Sequence, residues 1–243
     1  MNIQEKYRGS LRGVAIGDGL WLPVEAHTRS QILHLLNRDS LGAHDGLIQW
    51  YYPIGRHAMY RPYIRDWVYP FLHSSATGIC SDDTLLTLAL ADSIREKWWI
   101  DMEDIISRHV QAVGEEPFGF GKWTRSAMEK IWAWADWRNM IEQSFGNGVM
   151  MKQSPFAFQE VLSGENLSDD LIWLTRITHA HPVALVAARI HHKLRVDIIL
   201  SESLDFDMKY WLQEAREYAK MCEDEFQASS QVSVLMTDIR IQW

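Results

Sequence analysis

Apolar residues recur at helical spacing along nearly the whole chain, while the strict alternation of a half-buried strand is scarce. That pattern points to helices packed on helices, an all-α fold, because the sequence offers no sheet for them to cover. Residues 4–17 make a first helix, with Gly9, Gly13 and Gly17 on one face. Small residues there let another backbone come close, at a propensity cost of roughly 1 kcal/mol each against alanine. A short helix fits residues 30–36, with Ser30 or Thr28 as its cap. Further helices are expected over 82–98, 102–113, 124–134, 155–162, 171–178, 182–200 and 206–226, separated mainly by glycine-bearing breaks at 114–121 and 144–148.

Two stretches escape the pattern. Residues 37–79 carry Pro53, Pro62 and Pro70 among many tyrosines, and read as an ordered covering loop with short helical pieces. Residues 230–243 read as a short extended piece. With no repeat, low-complexity tract or linker, one domain spanning 1–243 is expected, and 47% apolar residues are enough to give it a substantial core. The twelve tryptophans read first as bulky core filling with some groove surface, and second as aromatic walls for a planar ligand.

Charge and cysteine usage exclude some functions. A net charge of -8 leaves no basic stripe for a nucleic-acid backbone, so an anionic ligand would need helix N-termini, backbone amides or a metal. Cys80 and Cys222 make no disulfide framework, which suits a reducing compartment. The N-terminus is polar, with no apolar segment of a secretory signal, and no apolar run is long enough to span a bilayer. A cytoplasmic protein with neither nucleic-acid nor membrane partners is the expectation.

Four segments could carry chemistry. Ser81-Asp82-Asp83-Thr84 opens a helix, and two readings stand. Ser81 could be an N-cap with acids complementing the helix dipole, or the hydroxyl and adjacent carboxylates could offer hard oxygens to magnesium. Gly17-Asp18-Gly19 reads as a C-terminal helix turn, with Gly17 or Gly19 as the left-handed cap and Pro23 as the stop; Glu25 beyond it is either a solvated loop acid or a carboxylate held against a metal or substrate. Phe118-Gly119-Phe120-Gly121 and Ser144-Phe145-Gly146-Asn147-Gly148 are either plain turns or loops whose backbone amides meet phosphate oxygens, although neither has Walker or dinucleotide spacing. His179, His181, His191 and His192 invite a zinc reading, but their spacing is not that of a zincin helix, and Pro182 at the first helical position makes His181 a cap neighbour.

Taken together and in order, these blocks resemble the ADP-ribosylglycohydrolase family, which includes dinitrogenase reductase-activating glycohydrolase. GSLRGVAIGDGLWLPVEAHT resembles the family's opening helix and glutamate loop, SDDTLLTLALADSI its acidic helix, and FGFGKWTRSAMEKI its first glycine loop. SFGNGVMMKQSPFAF is similar to its Gly-Asn-Gly substrate loop, and THAHPVALVAARI to its His-x-His helix. The resemblance implies a compact multi-helix bundle with a metal-lined cleft. It implies hydrolysis of the bond at the anomeric carbon of the distal ribose in an ADP-ribosylated protein or small molecule. Ser81, Asp82 and Asp83 would hold Mg2+, and Glu25 would join Asp82 and Asp83 as the catalytic carboxylates. Gly119, Phe120, Gly121, Ser144, Phe145, Gly146, Asn147 and Gly148 would bind substrate, with Phe120 or Phe145 facing the adenine or ribose and His181 shaping the cleft.

The sequence also departs from the family. Trp21 stands where a small residue is usual, Lys152 replaces an arginine after the asparagine loop, and Phe120 replaces a tyrosine. The Asp-x-Asp-Thr/Ser motif that would complete a two-magnesium site has no match, the nearest echo being Thr237-Asp238-Ile239-Arg240. The domain is therefore expected to be C-terminally incomplete, and two alternatives to an active hydrolase stay open: a catalytically impaired ADP-ribose-binding relative, or a truncated gene product.

Overall fold

A computed structural model describes residues 2–21, 80–115, 120–201 and 208–228. These residues form α1 (Ile3–Trp21), α2 (Asp82–Lys97), α3 (Met102–Glu115), α4 (Lys122–Trp132), α5 (Ser154–Ser163), α6 (Ser168–Thr178), α7 (Pro182–Leu200) and α8 (Met208–Ala228), with single 3-10 turns at Trp137–Asn139 and Met150–Lys152. No strand occurs among the described residues, so the all-α expectation holds. The helix expected at 30–36, the covering loop at 37–79 and the extended piece at 230–243 lie outside the described residues.

Helix α2 occupies the middle of the bundle because its sequence, DDTLLTLALADSIREK, has apolar or small residues on most of its circumference. Leu86 faces one core cluster with Ile106, Phe120, Ala127 and Ile177, joining α2 to α3, α4 and α6. Leu90 faces another with Ile105, Phe156, Leu171 and Leu174, which brings in α5. Leu86, Leu90, Ile105, Phe156 and Leu171 are wholly buried, each such burial stabilising by roughly 1.5–3 kcal/mol. Helix α7 packs on α5, α6 and α8, and α1 packs on α2 and α5. Lys6 of α1 donates to the carbonyls of Ile199 and Ser201 at 2.6 Å, closing the C-terminal end of α7.

Three local expectations are corrected. Helix α1 does not stop at Gly17 but continues to Trp21, so Gly17 and Gly19 are interior helix residues and neither is a cap. No described atom lies within 4 Å of where a Cβ would stand on Gly9, Gly13 or Gly17, so the close backbone approach read from their spacing is made by no described residue. Helix α4 ends at Trp132, two residues before the expected 134, because Trp134 turns left-handed (φ 73°) and sends the Ala135 amide back to Lys130 O at 2.9 Å. The tryptophan reading is corrected in part: Trp98, Trp99, Trp123, Trp132, Trp134 and Trp173 are exposed, while Trp137 packs partly buried against the cluster of Leu86, so most core filling in the described bundle falls to leucine, isoleucine and phenylalanine.

Candidate active site

The start of α2 is organised by a residue from another helix. Asp18, buried on α1, accepts from the Ser81 amide and hydroxyl, both at 2.7 Å, and from the Thr84 amide at 3.1 Å and hydroxyl at 2.6 Å. Ser81 does occupy the N-cap position, but its side chain makes no capping bond. The capping acceptor is the carboxylate of Asp18, and the Ser81 hydroxyl is turned toward it. The sequence reading assigned that role to Ser81 and passed over Asp18, whose one clue is its place in a Gly-Asp-Gly run inside an otherwise apolar helix face.

Asp82 and Asp83 follow at the first two helical positions, about 100° apart around the axis, and so point to different loops. Asp82 meets the Gly121 backbone at the start of α4. Asp83 lines a pocket of about 210 Å³ with Asn147, Met150, Met151, His191 and Arg195. Burial raises the Asp82 carboxyl to about 6, against the pull of hydrogen bonds from Gly121 and Ser81. Burial likewise raises Asp83 to about 6, aided by repulsion from Asp82 and Asp18, and no described group pulls it back. Lys152, 1% exposed, is a cation beside Asp82; burial lowers its ammonium to about 8, and attraction to Asp82 recovers only part of that.

The loop at 144–148 is held against the segment leading into α7. The Ala180 amide donates to Glu142 O at 2.7 Å and the His181 amide to Ser144 O at 3.3 Å. The imidazole of His179 lies directly beneath: a Cβ on Gly148 would stand 3.2 Å from its Cε1 and Nε2, and one on Gly146 3.5 Å from Nε2. A side chain at 148 would thus crowd this ring, while at 146 the tighter neighbour is Ser144 Oγ at 3.3 Å. Burial and the charge of Lys152 lower His179 to about 4, which keeps it neutral. His181 accepts from the Val183 amide at 3.2 Å and is itself the N-cap of α7. Its ring meets that of Phe145 edge-on, with centroids 5.8 Å apart. His192 bonds Glu160 at 2.9 Å, and His191 accepts from Arg195 Nε–H at 3.2 Å, so the four histidines serve four separate places.

The structure therefore brings Ser81, Asp82, Asp83, Gly121 and Asn147 to one end of α2. Ser144 is buried and bonds the Gly146 amide from within the loop, at 3.2 Å. Phe120 is a core residue, 5% exposed and packed in the cluster of Leu86, whereas Phe145 is 74% exposed; only the latter ring is free to meet a ligand. Glu25 and Gly119 lie outside the described residues. Besides Asp18, sequence reasoning missed His179, half of a His-x-His pair credited to its other member, and Arg195, hidden in the apolar pattern of α7.

These donors suit a hard divalent cation. Magnesium keeps several waters and is commonly held by one or two carboxylates, so two acids and a hydroxyl are a sufficient protein share. Adjacent carboxylates raised by burial and mutual repulsion are the arrangement a cation would relieve. Asp18 cannot join them while its oxygens accept four hydrogen bonds. Among the described residues no three His, Cys, Asp or Glu side chains converge as a ligand group, so Ser81, Asp82 and Asp83 form an open set rather than a closed cage.

The family model of the ADP-ribosylglycohydrolases matches residues 1–239. No curated protein matches the chain.

Proposed function

The chain belongs to the ADP-ribosylglycohydrolase family, and on that premise we propose that it is a magnesium-dependent hydrolase freeing ADP-ribose from a protein side chain or small molecule. The observation that carries the reading is the divergence of Asp82 and Asp83 from one helix start onto two glycine loops. Ser81, Asp82 and Asp83 would hold the magnesium. Bound there, it would supply a Lewis acid that orients ribose hydroxyls and a water.

The chain's own residues do the rest. Asp18 fixes the Ser81 hydroxyl and the first turn of α2, so the two carboxylates keep their angle to each other. The loop at 144–148 offers backbone amides and the Asn147 side chain to the diphosphate and riboses, and His179 beneath it holds the loop's shape. Phe145, exposed beside His181, offers a ring face to a planar base. Glu25 has its role from the resemblance alone: it handles the proton as water adds to the anomeric carbon and the bond to the leaving group breaks. A carboxylate also stabilises the positive charge that builds on the ribose.

A binding module that docks ADP-ribose without turnover is favoured by one observation, the open ligand set at Asp82 and Asp83. A release assay on ADP-ribosylated protein, with and without magnesium, separates the two readings. Hydrolysis predicts magnesium-dependent release that falls to background in Asp82→Ala/Asp83→Ala. Calorimetric binding of ADP-ribose with no release selects the binding module, and neither binding nor release would sink both.

A further inference from the structure

Arg195 is a partly buried cation that forms no salt bridge with any described carboxylate. It projects from α7 into the pocket it shares with Asp83, Asn147 and His191. Burial lowers it to about 10, and no described carboxylate acts to restore it. Asp83 lines the same pocket, yet neither group shifts the other.

What touches the guanidinium is neutral. Its Nε–H donates to His191 Nδ1 at 3.2 Å, one terminal nitrogen donates to Ser154 Oγ, and the other to Met150 O at 3.3 Å. Burial and the neighbouring Arg195 charge lower His191 to about 4, so it stays uncharged and its Nδ1 lone pair accepts from Arg195. These contacts fix the plane of the fork and cancel none of its charge. Three of the five N–H donors of a guanidinium are engaged, one at each nitrogen, which leaves one on each terminal nitrogen, the paired geometry that suits two oxygens of one anion.

Holding a desolvated charge unpaired is costly, and helix packing gains nothing from it. The cost is offset when an anion enters the pocket, where the low dielectric makes each contact stronger than in water. We propose that Arg195 is an anion-binding residue and that this pocket takes a phosphate group, with His191 and Ser154 as the braces that aim the fork. That the phosphate belongs to the diphosphate of an ADP-ribosyl ligand rests on the function proposed above. The cation itself is a property of this chain's α7 and adds a side-chain contact to the amides of the 144–148 loop.

Inorganic pyrophosphate tests this without ribose, magnesium or turnover. Calorimetry on the full chain should show saturable binding that Arg195→Gln weakens at least tenfold, that Arg195→Lys restores in part, and that Arg95→Gln, an exposed arginine at the opposite end of α2, leaves unchanged. Because Arg195 also ties α7 to Ser154 and Met150, thermal denaturation of each variant accompanies the titration. If Arg195→Gln does not fold, the wild-type Arg195 Nε–H resonance, followed by NMR, should move with pyrophosphate and saturate. Undiminished binding in Arg195→Gln, a resonance that stays still, or no binding by the wild type overturns the proposal. Pyrophosphate binding through Arg195 beside a failed release assay would leave this inference standing and remove the hydrolase reading.

Discussion

The two ends of α2 treat carboxylates in opposite ways. At the far end, Asp104 accepts from Arg108 Nε at 2.6 Å, Arg108 also bonds Glu96 at 2.6 Å, and that partnership holds the Asp104 carboxyl below its ordinary range. Those groups are solvent-facing and paired, beside the exposed rings of Trp98 and Trp99. At the near end, Asp82 and Asp83 are sheltered from water and pushed up to about 6, and neither forms a salt bridge among the described residues, although Arg195 lines the pocket of Asp83. The two ends of α2 thus meet carboxylates that are paired for stability, Glu96 on α2 and Asp104 on α3, and carboxylates that are not. Asp104 is paired where stability is the demand, and an unpaired, desolvated couple raised as far as Asp82 and Asp83 marks the end with a chemical task.

The largest effect that would break this contrast belongs to Asp18. Replacing it with alanine removes the acceptor for two backbone amides and two hydroxyls at a buried helix start. A lost cap costs about 1 kcal/mol and each buried unsatisfied donor about 1–3 kcal/mol, so Asp18→Ala should lose on the order of 3 kcal/mol or more in urea denaturation. Asp18→Asn, which keeps one accepting oxygen, should fall between. A loss near zero in Asp18→Ala would show that α2 does not depend on this carboxylate, and that the geometry of Asp82 and Asp83 is set elsewhere.

That bond also shows where the sequence stops being readable. Ser-Asp-Asp-Thr and the Gly-Asn-Gly loop are legible because their chemistry is local: a few neighbouring residues set the helix start or the turn. The cap on α2 comes from a residue 63 positions earlier, and no spacing rule links Asp18 to Ser81. Arg195 is illegible for another reason: beside Arg189 and Lys193 on α7 it reads as one more residue of a solvated edge, and packing against Ser154 and Met150 partly buries it. The tryptophans misled because composition says how much apolar surface a chain has and not where it goes. Helical boundaries came out well where a residue forces them, as Pro182 does at the start of α7, and less well where a left-handed Trp134 replaces the usual glycine.

His179 sharpens the contrast through pH. Its folded pKa of about 4 lies below the ordinary 6.5, so the unfolded chain binds more protons. Its contribution to stability is therefore whole above about 6.5 and is lost as pH falls toward 4. The groups facing it are Lys152, whose charge adds to the depression, and the Thr178 hydroxyl, 2.8 Å from Nδ1. Asp82 and Asp83, raised in the fold, act with the opposite sign over part of that range, so the comparison must be made between variants. Going from pH 7.5 to pH 5.5 should cost the wild type about 1 kcal/mol more than His179→Gln, by the linkage of one such group. Equal pH slopes for the two proteins would mean that the ring under Gly146 and Gly148 is free to charge.

The smallest effect is expected at the far end of α2, and its smallness is the point. Arg108 and Asp104 are one helical turn apart on α3, with side chains 25% and 20% exposed, and water screens much of their attraction. A pair of this kind contributes about 0.5 kcal/mol, and salt weakens it further. A double-mutant cycle over Asp104→Ala and Arg108→Ala should return a coupling of that size at low ionic strength and less at high salt. The shared contact with Glu96 makes the single Arg108→Ala loss somewhat larger than the coupling, because it removes two partners at once. A coupling of several kcal/mol would place this pair in the same class as Asp18, and the two ends of α2 would no longer differ in kind.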